Sequence, residues 1–176
     1  MKIYVLLADK GTHNPQAGTL NLLNVGWAVT QLHRPMVGPA PGQSPSPPMV
    51  TSAQAVVVFI EAELGMCNKA LILEIELLTE DGQLVEIQTP MGTQAVRLQQ
   101  QIMVPSPAGV PTGFPGHATA MMELPQGLPL APGIYRWQAR VNGKAEDEWS
   151  AHFYVAPPLP PPTFGFPWVA PADPSE

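Results

Sequence analysis

An all-β fold, built as a sandwich of two antiparallel sheets, is what this sequence predicts, and three observations predict it. The first is Gly133 to Val155, GIYRWQARVNGKAEDEWSAHFYV, where Tyr135, Trp137, Ala139 and Val141 alternate with Arg136, Gln138 and Arg140. Trp149, Ala151, Phe153 and Val155 then alternate with Ser150, His152 and Tyr154. Period-two alternation places one set of side chains on a buried face and the other in water. The second is composition: 45% of the 176 residues are apolar, only 12% are charged, and 23 are proline. A chain so rich in proline and so poor in charged helix formers favours strands joined by long irregular connections. The third is the regular recurrence of short apolar runs separated by turn residues, with no convincing helical period.

Taken in order, Lys2 to Ala8 reads as the first strand, apolar on both faces (Ile3, Val5, Leu7 against Tyr4, Leu6, Ala8), as when another segment covers its second side. Asp9 to Gly18 reads as a turn-rich loop. Thr19 to Leu23 resumes as a strand, and Gly26-Trp27 leads another towards His33, ended by Arg34-Pro35. The loop at 35–50 holds Pro35, Pro39, Pro41, Pro45, Pro47 and Pro48, which no strand interior accepts.

Gln54 to Glu61 is a dense β-branched strand. In the next, Leu71, Leu73, Ile75 and Leu77 share a face opposite Glu74 and Glu76, and Asp81-Gly82 supplies a turn. Val96, Leu98, Ile102 and Val104 mark a further strand around Gln99, Gln100 and Gln101. A second loop rich in proline and glycine spans 105–116, and Ala118, Ala120, Met122 and Leu124 face inward from the strand after it. Asn142-Gly143, residues that tolerate positive φ, reverse the chain inside the closing hairpin. Two large aromatics in each arm of that hairpin require a second sheet to cover them. About eight or nine strands so spaced resemble an immunoglobulin-like domain.

Residues 1–156 form the sandwich domain on this reading, and 157–176 a proline-rich C-terminal arm. Pro157 to Pro162 (PPLPPP) has the composition of a polyproline II rod, and Phe164, Phe166 and Trp168 follow at spacing that projects them to one side if extended. Such a rod has no internal hydrogen bonds, so the choice lies between a loose terminus and an arm docked through Pro158, Pro161, Phe164, Phe166 and Trp168.

The net charge of −6, with only eight cationic residues in the whole chain, leaves no clustered basic surface for nucleic acid. One cysteine, Cys67, rules out an internal disulfide or a cysteine-rich metal site and suits a reducing compartment. No run reaches membrane-spanning length, and the opening MKIYVLLADK has too short an apolar stretch for a signal peptide, so cytoplasmic synthesis is expected.

Catalytic signatures are missing: there is no G-x-S-x-G, H-E-x-x-H, C-x-x-C or P-loop. His13, His33, His117 and His152 lie in separate segments and read as surface histidines. Cys67 has no base nearby in the sequence to activate it. Glu146, Asp147 and Glu148 follow a turn and read as a solvated loop, too few oxygens for calcium. Asp9 is placed to cap a turn. Trp27, Trp137 and Trp149 read as core, leaving Trp168 as the tryptophan suited to an intermolecular contact. No catalytic residue, cofactor or metal is therefore expected.

Leu7-Ala8-Asp9, then Gly18, Leu20 and Asn21, then Gly26-Trp27, resemble the start of a family of small proteins met chiefly in actinobacteria and also in their phages. Asp81-Gly82, the Leu128-Pro129-Leu130-x-Pro-Gly-x-Tyr segment, Asn142-Gly143 and the closing Phe153-x-Val155 extend the likeness over roughly residues 5 to 155. The resemblance implies an immunoglobulin-like sandwich and no established activity, so it carries over no functional residue. Three functions are then open. The first, and the one expected, is a structural or interaction protein, such as an accessory or decoration protein of a phage particle. Its partner would be a capsid or other virion subunit or further copies of itself, with a tail-associated position as the variant. The others are a ligand-binding module, with carbohydrate as one ligand class, and an enzyme assembled from scattered residues.

Overall fold

The computed structural model describes residues 1–14, 19–34, 48–111 and 113–158. Its described elements are twelve strands and one turn of 3-10 helix at Leu64–Met66, which joins two of them. The strands are β1 (Lys2–Ala8), β2 (Lys10–Asn14), β3 (Thr19–Leu23), β4 (Val29–Gln31), β5 (Gln54–Ala62), β6 (Ala70–Thr79), β7 (Glu86–Thr89), β8 (Gly92–Ala95), β9 (Arg97–Met103), β10 (Gly116–Leu124), β11 (Gly133–Val141) and β12 (Ser150–Ala156).

Two sheets carry the body. One is three-stranded, in the order β1-β5-β10; the other is five-stranded, in the order β4-β12-β11-β6-β9. Their facing sides meet in one core, as the alternation predicts. Ile3, Val5 and Leu7 of β1 and Val56, Val58 and Ile60 of β5 pack with Leu71, Leu73, Ile75 and Leu77 of β6, Trp137 and Val141 of β11, and Phe153 and Val155 of β12. Trp137 is fully buried, Tyr135 stacks on Phe153 with ring centroids 5.8 Å apart, and Trp27 meets Phe153 edge-on at 5.7 Å. Each such side chain contributes about 1.5–3 kcal/mol by leaving water.

The second face of β1 is covered only towards its Ala8 end, while Tyr4 on the same face is half exposed. Ala55 and Val57, on the side away from the core, are as buried as the core valines. Met121, opposite Val57, lies against Gly11 of the β2–β3 hairpin, where any Cβ would collide with its sulfur. That hairpin corrects the expectation of a loop from Asp9 to Gly18. Lys10–Asn14 has no large apolar residue of its own, and it forms a strand because Thr19–Leu23 pairs with it residue for residue.

Two further corrections concern strand number and direction. The three and five strands of the main sheets match the expected eight or nine, but β2–β3 and β7–β8 add two hairpins outside them. The β7–β8 hairpin, EIQT and GTQA around Pro90-Met91, carries a single large apolar residue, Ile87, and so has no readable period. Nor is the pairing wholly antiparallel: β4 runs parallel to β12, with Val29 opposite Tyr154 and Gln31 opposite Ala156. The segment expected to run from Gly26-Trp27 to His33 is a strand only over three residues. His33 then bridges Val50 through two backbone hydrogen bonds of 2.9 Å, clasping the ends of the proline-rich loop whose residues 35–47 lie outside the described residues.

The closing hairpin follows the predicted alternation. Gly133 pairs with Val155, Tyr135 with Phe153, and Trp137 with Ala151. Asn142 and Gly143 take φ of 50° and 76°, the double positive-φ turn that their sequence selects. The Asn142 side chain also accepts a hydrogen bond from the Ile72 amide at 2.9 Å, and its own N–H donates to the Ile72 carbonyl at 2.8 Å.

Candidate functional site

One end of the sandwich is a cleft built where the chain crosses from the three-stranded to the five-stranded sheet. β1 stops at Asp9, whose amide donates to Leu23, and the amide of Gly26 returns to the carbonyl of Leu7, so the turn at residues 24–26 is tied to the end of β1. Asn24 sits at φ 51°, and its side-chain amide donates to an Asp9 carboxylate oxygen at 2.7 Å. Asp9 thus anchors a turn, as its position after an apolar strand suggests.

Asp9 and Ala53 line two adjoining cavities. The larger, about 430 Å³, is completed by Asn24, Trp27, Thr30 and Ser52 among others. The smaller, about 190 Å³, reaches Lys10, Gln54 and Glu123. The first lies within the range of about 300–1,000 Å³ typical of small-molecule sites.

Gln54 is the unexpected residue here. The β5 register pairs Ala55 with Ala8, so Gln54 falls beside Asp9, on the same face as Val56 and Val58. It is only 2% exposed, and neither its amide nitrogen nor its amide oxygen has a partner among the described residues. Trp27 lines the larger cavity, and its indole N–H is likewise buried and without a partner among the described residues. Leaving such groups unsatisfied costs about 1–3 kcal/mol each; Trp137 Nε1 and Arg136 Nε are also buried and unpaired among the described residues, but only Gln54 and Trp27 border these cavities. The sequence held one signal for Gln54: it is a polar residue at the head of a dense β-branched strand.

A second surface continues from the cleft. Val29 lines the larger cavity and stands opposite Tyr154, which stands opposite Ile134. Register partners share a face, so these three make a row across β4, β12 and β11 on the outer side of the five-stranded sheet. They are 59%, 42% and 44% exposed. The adjacent row pairs His152 with Arg136, and beyond it Arg140 holds Glu76 at 2.8 Å.

The structure keeps the other polar candidates apart. His33, His117 and His152 are exposed, and among the described residues no group of three His, Cys, Asp or Glu is close enough to hold a metal. Cys67 is buried, with its sulfur 3.5 Å from the Glu63 carbonyl. Glu146, Asp147 and Glu148 are exposed, as read. Trp137 and Trp149 are core residues. Of the arm residues, Pro158 is described and exposed, two residues after β12 ends beside β4. Pro161, Phe164, Phe166 and Trp168 lie outside the described residues. No helix among the described residues is long and apolar enough to cross a membrane.

Searches for relatives bring no family model and no curated protein that matches this chain.

Proposed function

We propose that this chain is a non-enzymatic interaction protein of immunoglobulin-like build, which docks a protein partner through the outer side of its five-stranded sheet. The observation that carries the reading is the exposed row Val29–Tyr154–Ile134 beside Arg136. Tyrosine and arginine over an apolar patch are the side chains that most often dominate binding energy at protein interfaces.

The immunoglobulin-like reading rests on strand order and on one corner. Taking β1, β5 and β10 as strands A, B and E, and β12, β11, β6 and β9 as G, F, C and C′, gives sheet orders compatible with such domains, with no strand D and with β4 added beside G. Tyr135, near the start of β11, donates its hydroxyl back to the carbonyl of Ala131 at 3.0 Å, the corner found at strand F. Trp137, two residues on, occupies the place of the second cysteine in domains that carry the intersheet disulfide.

Within this class we favour an accessory protein of a phage particle, capsid-associated first and tail-associated second. Resemblance over residues 5 to 155 and fold analogy support that setting. The arm from Pro157 onward, leaving beside β4, would add contacts to the same partner.

Site-specific photo-cross-linking tests the reading. A photoreactive side chain at position 154 is expected to join one partner subunit in assembled particles. The same group at Thr119, exposed on the other sheet, is expected to join none. Tyr154→Ala with Ile134→Ser should keep the melting temperature and lose incorporation. Scattered cross-links of equal yield from both positions would overturn the proposal.

A further inference from the structure

We propose that the cleft at Asp9 is a binding site for a neutral polyhydroxylated ligand, a mono- or disaccharide in size. Two independent features of the cleft point there. One is the unpaired hydrogen-bonding capacity of Gln54 and Trp27, two donor groups and one acceptor already withdrawn from bulk water. The other is the lining of the larger cavity. Asn24, Thr30 and Ser52 offer neutral donors and acceptors, and Asp9 supplies the charge, with one carboxylate oxygen taken by Asn24 and no partner for the other among the described residues.

That arrangement selects among ligands. Among the described residues no lysine or arginine lines the larger cavity, and Lys10, the one cation at the smaller, stands with Asp9 and Glu123, so an anion finds no net counter-charge there. A purely apolar molecule would leave Gln54 and the Trp27 N–H unpaired and gain little. Adjacent hydroxyls each donate and accept, which suits a carboxamide offering both functions beside a carboxylate that only accepts. The cavity of about 430 Å³ has room for such a molecule, and the adjoining 190 Å³ brings Gln54 within the same site. This site is separate from the outer row except at Val29, so either can fail without the other.

The test is nuclear magnetic resonance on the full chain labelled with nitrogen-15. It follows the Trp27 indole N–H and the Gln54 side-chain amide during titration with glucose, galactose, N-acetylglucosamine and cellobiose. Sodium glucuronate and calcium chloride serve as charged controls. At least one neutral sugar is expected to move both signals saturably. Asp9→Asn and Gln54→Leu should each weaken that binding about tenfold, and Tyr154→Ala with Ile134→Ser should leave it unchanged. Gln54→Leu is expected to keep or raise the melting temperature; should it lower it, Asp9→Asn, which retains the size of the side chain and an acceptor for Asn24, decides. Signals that move with none of the sugars, that move only with glucuronate or calcium, or that respond equally in the Asp9 variant would overturn the assignment.

Discussion

The hydroxyl of Tyr135 donates to the carbonyl of Ala131, 3.0 Å away and four residues upstream, and so ties the loop before β11 to the strand that follows it. Burial raises the Tyr135 hydroxyl pKa above its ordinary 10.0. The folded state therefore holds this proton more tightly than the unfolded one. Its contribution is constant below about pH 10 and is lost as pH rises through the higher folded value. Tyr135→Phe should cost about 1 kcal/mol at neutral pH, read by urea denaturation, and should flatten the decline in stability above about pH 10. Parallel alkaline profiles for the two proteins would contradict this account.

Gly127 is the most constrained turn residue described. It sits at φ 67°, and a Cβ there would collide with the Thr51 carbonyl. Thr51 is itself buried, donates its amide to the Leu128 carbonyl at 2.9 Å, and accepts the Leu128 amide on its hydroxyl at 3.0 Å. Gly127→Ala should lose about 2–4 kcal/mol. Thr51→Val, which strands the Leu128 N–H, should lose about 1–3 kcal/mol. Thermal unfolding of the two single variants and their combination measures both costs and their coupling.

Asn142 does two things, and they can be separated. Asn142→Gly keeps the positive φ and loses the acceptor for Ile72, at a cost of about 1 kcal/mol. Asn142→Ala loses both and should cost about 2 kcal/mol. Chemical denaturation with an unchanged m-value is the expected readout, and equal costs would mean that φ is not strained.

Cys67 should be inert. Its side chain is buried beneath the 3-10 turn, its sulfur near the carbonyls of Ala62 and Glu63, and a Cβ at Gly116 would fall within 2.6 Å of it. A disulfide reagent should label it only at the rate of opening, and fully in denaturant. Rapid labelling of the folded chain would show that the turn opens locally.

The ion pair between Arg140 and Glu76, though short at 2.8 Å, lies on the outer face with Arg140 over a third exposed. Solvent screening limits it, and Glu76→Gln should change stability by less than about 1 kcal/mol. Salt titration of both proteins would reveal a larger role as a difference in slope.

What could be read from the chain follows from where its period is strong. β6 and β11 carry four or more residues of strict alternation, and Leu71, Leu73, Ile75 and Leu77 are all buried as their spacing requires. β2 and β8 could not be read, because their strand character comes from the partner across the ladder and not from their own side chains. The parallel β4–β12 pair was hidden for a related reason: three residues, Val-Thr-Gln, carry no signature of direction. At the cleft, Asp9 stood out as the end of a strand, while Asn24 and Gln54 joined it only through pairings that span 15 residues or more.

The pairing of Val29 with Tyr154 also sets a timetable for biogenesis. A ribosome adding about 5–20 residues per second needs about 6–25 seconds to travel from one partner to the other. Until then the nascent chain carries β4 with nothing to bind and the outermost edge of the large sheet unbuilt. Closure of that edge thus waits for β12, and a transcript truncated before residue 150 yields a chain that still packs β1 and β5 on β6 and β11 yet leaves β4 without its partner strand.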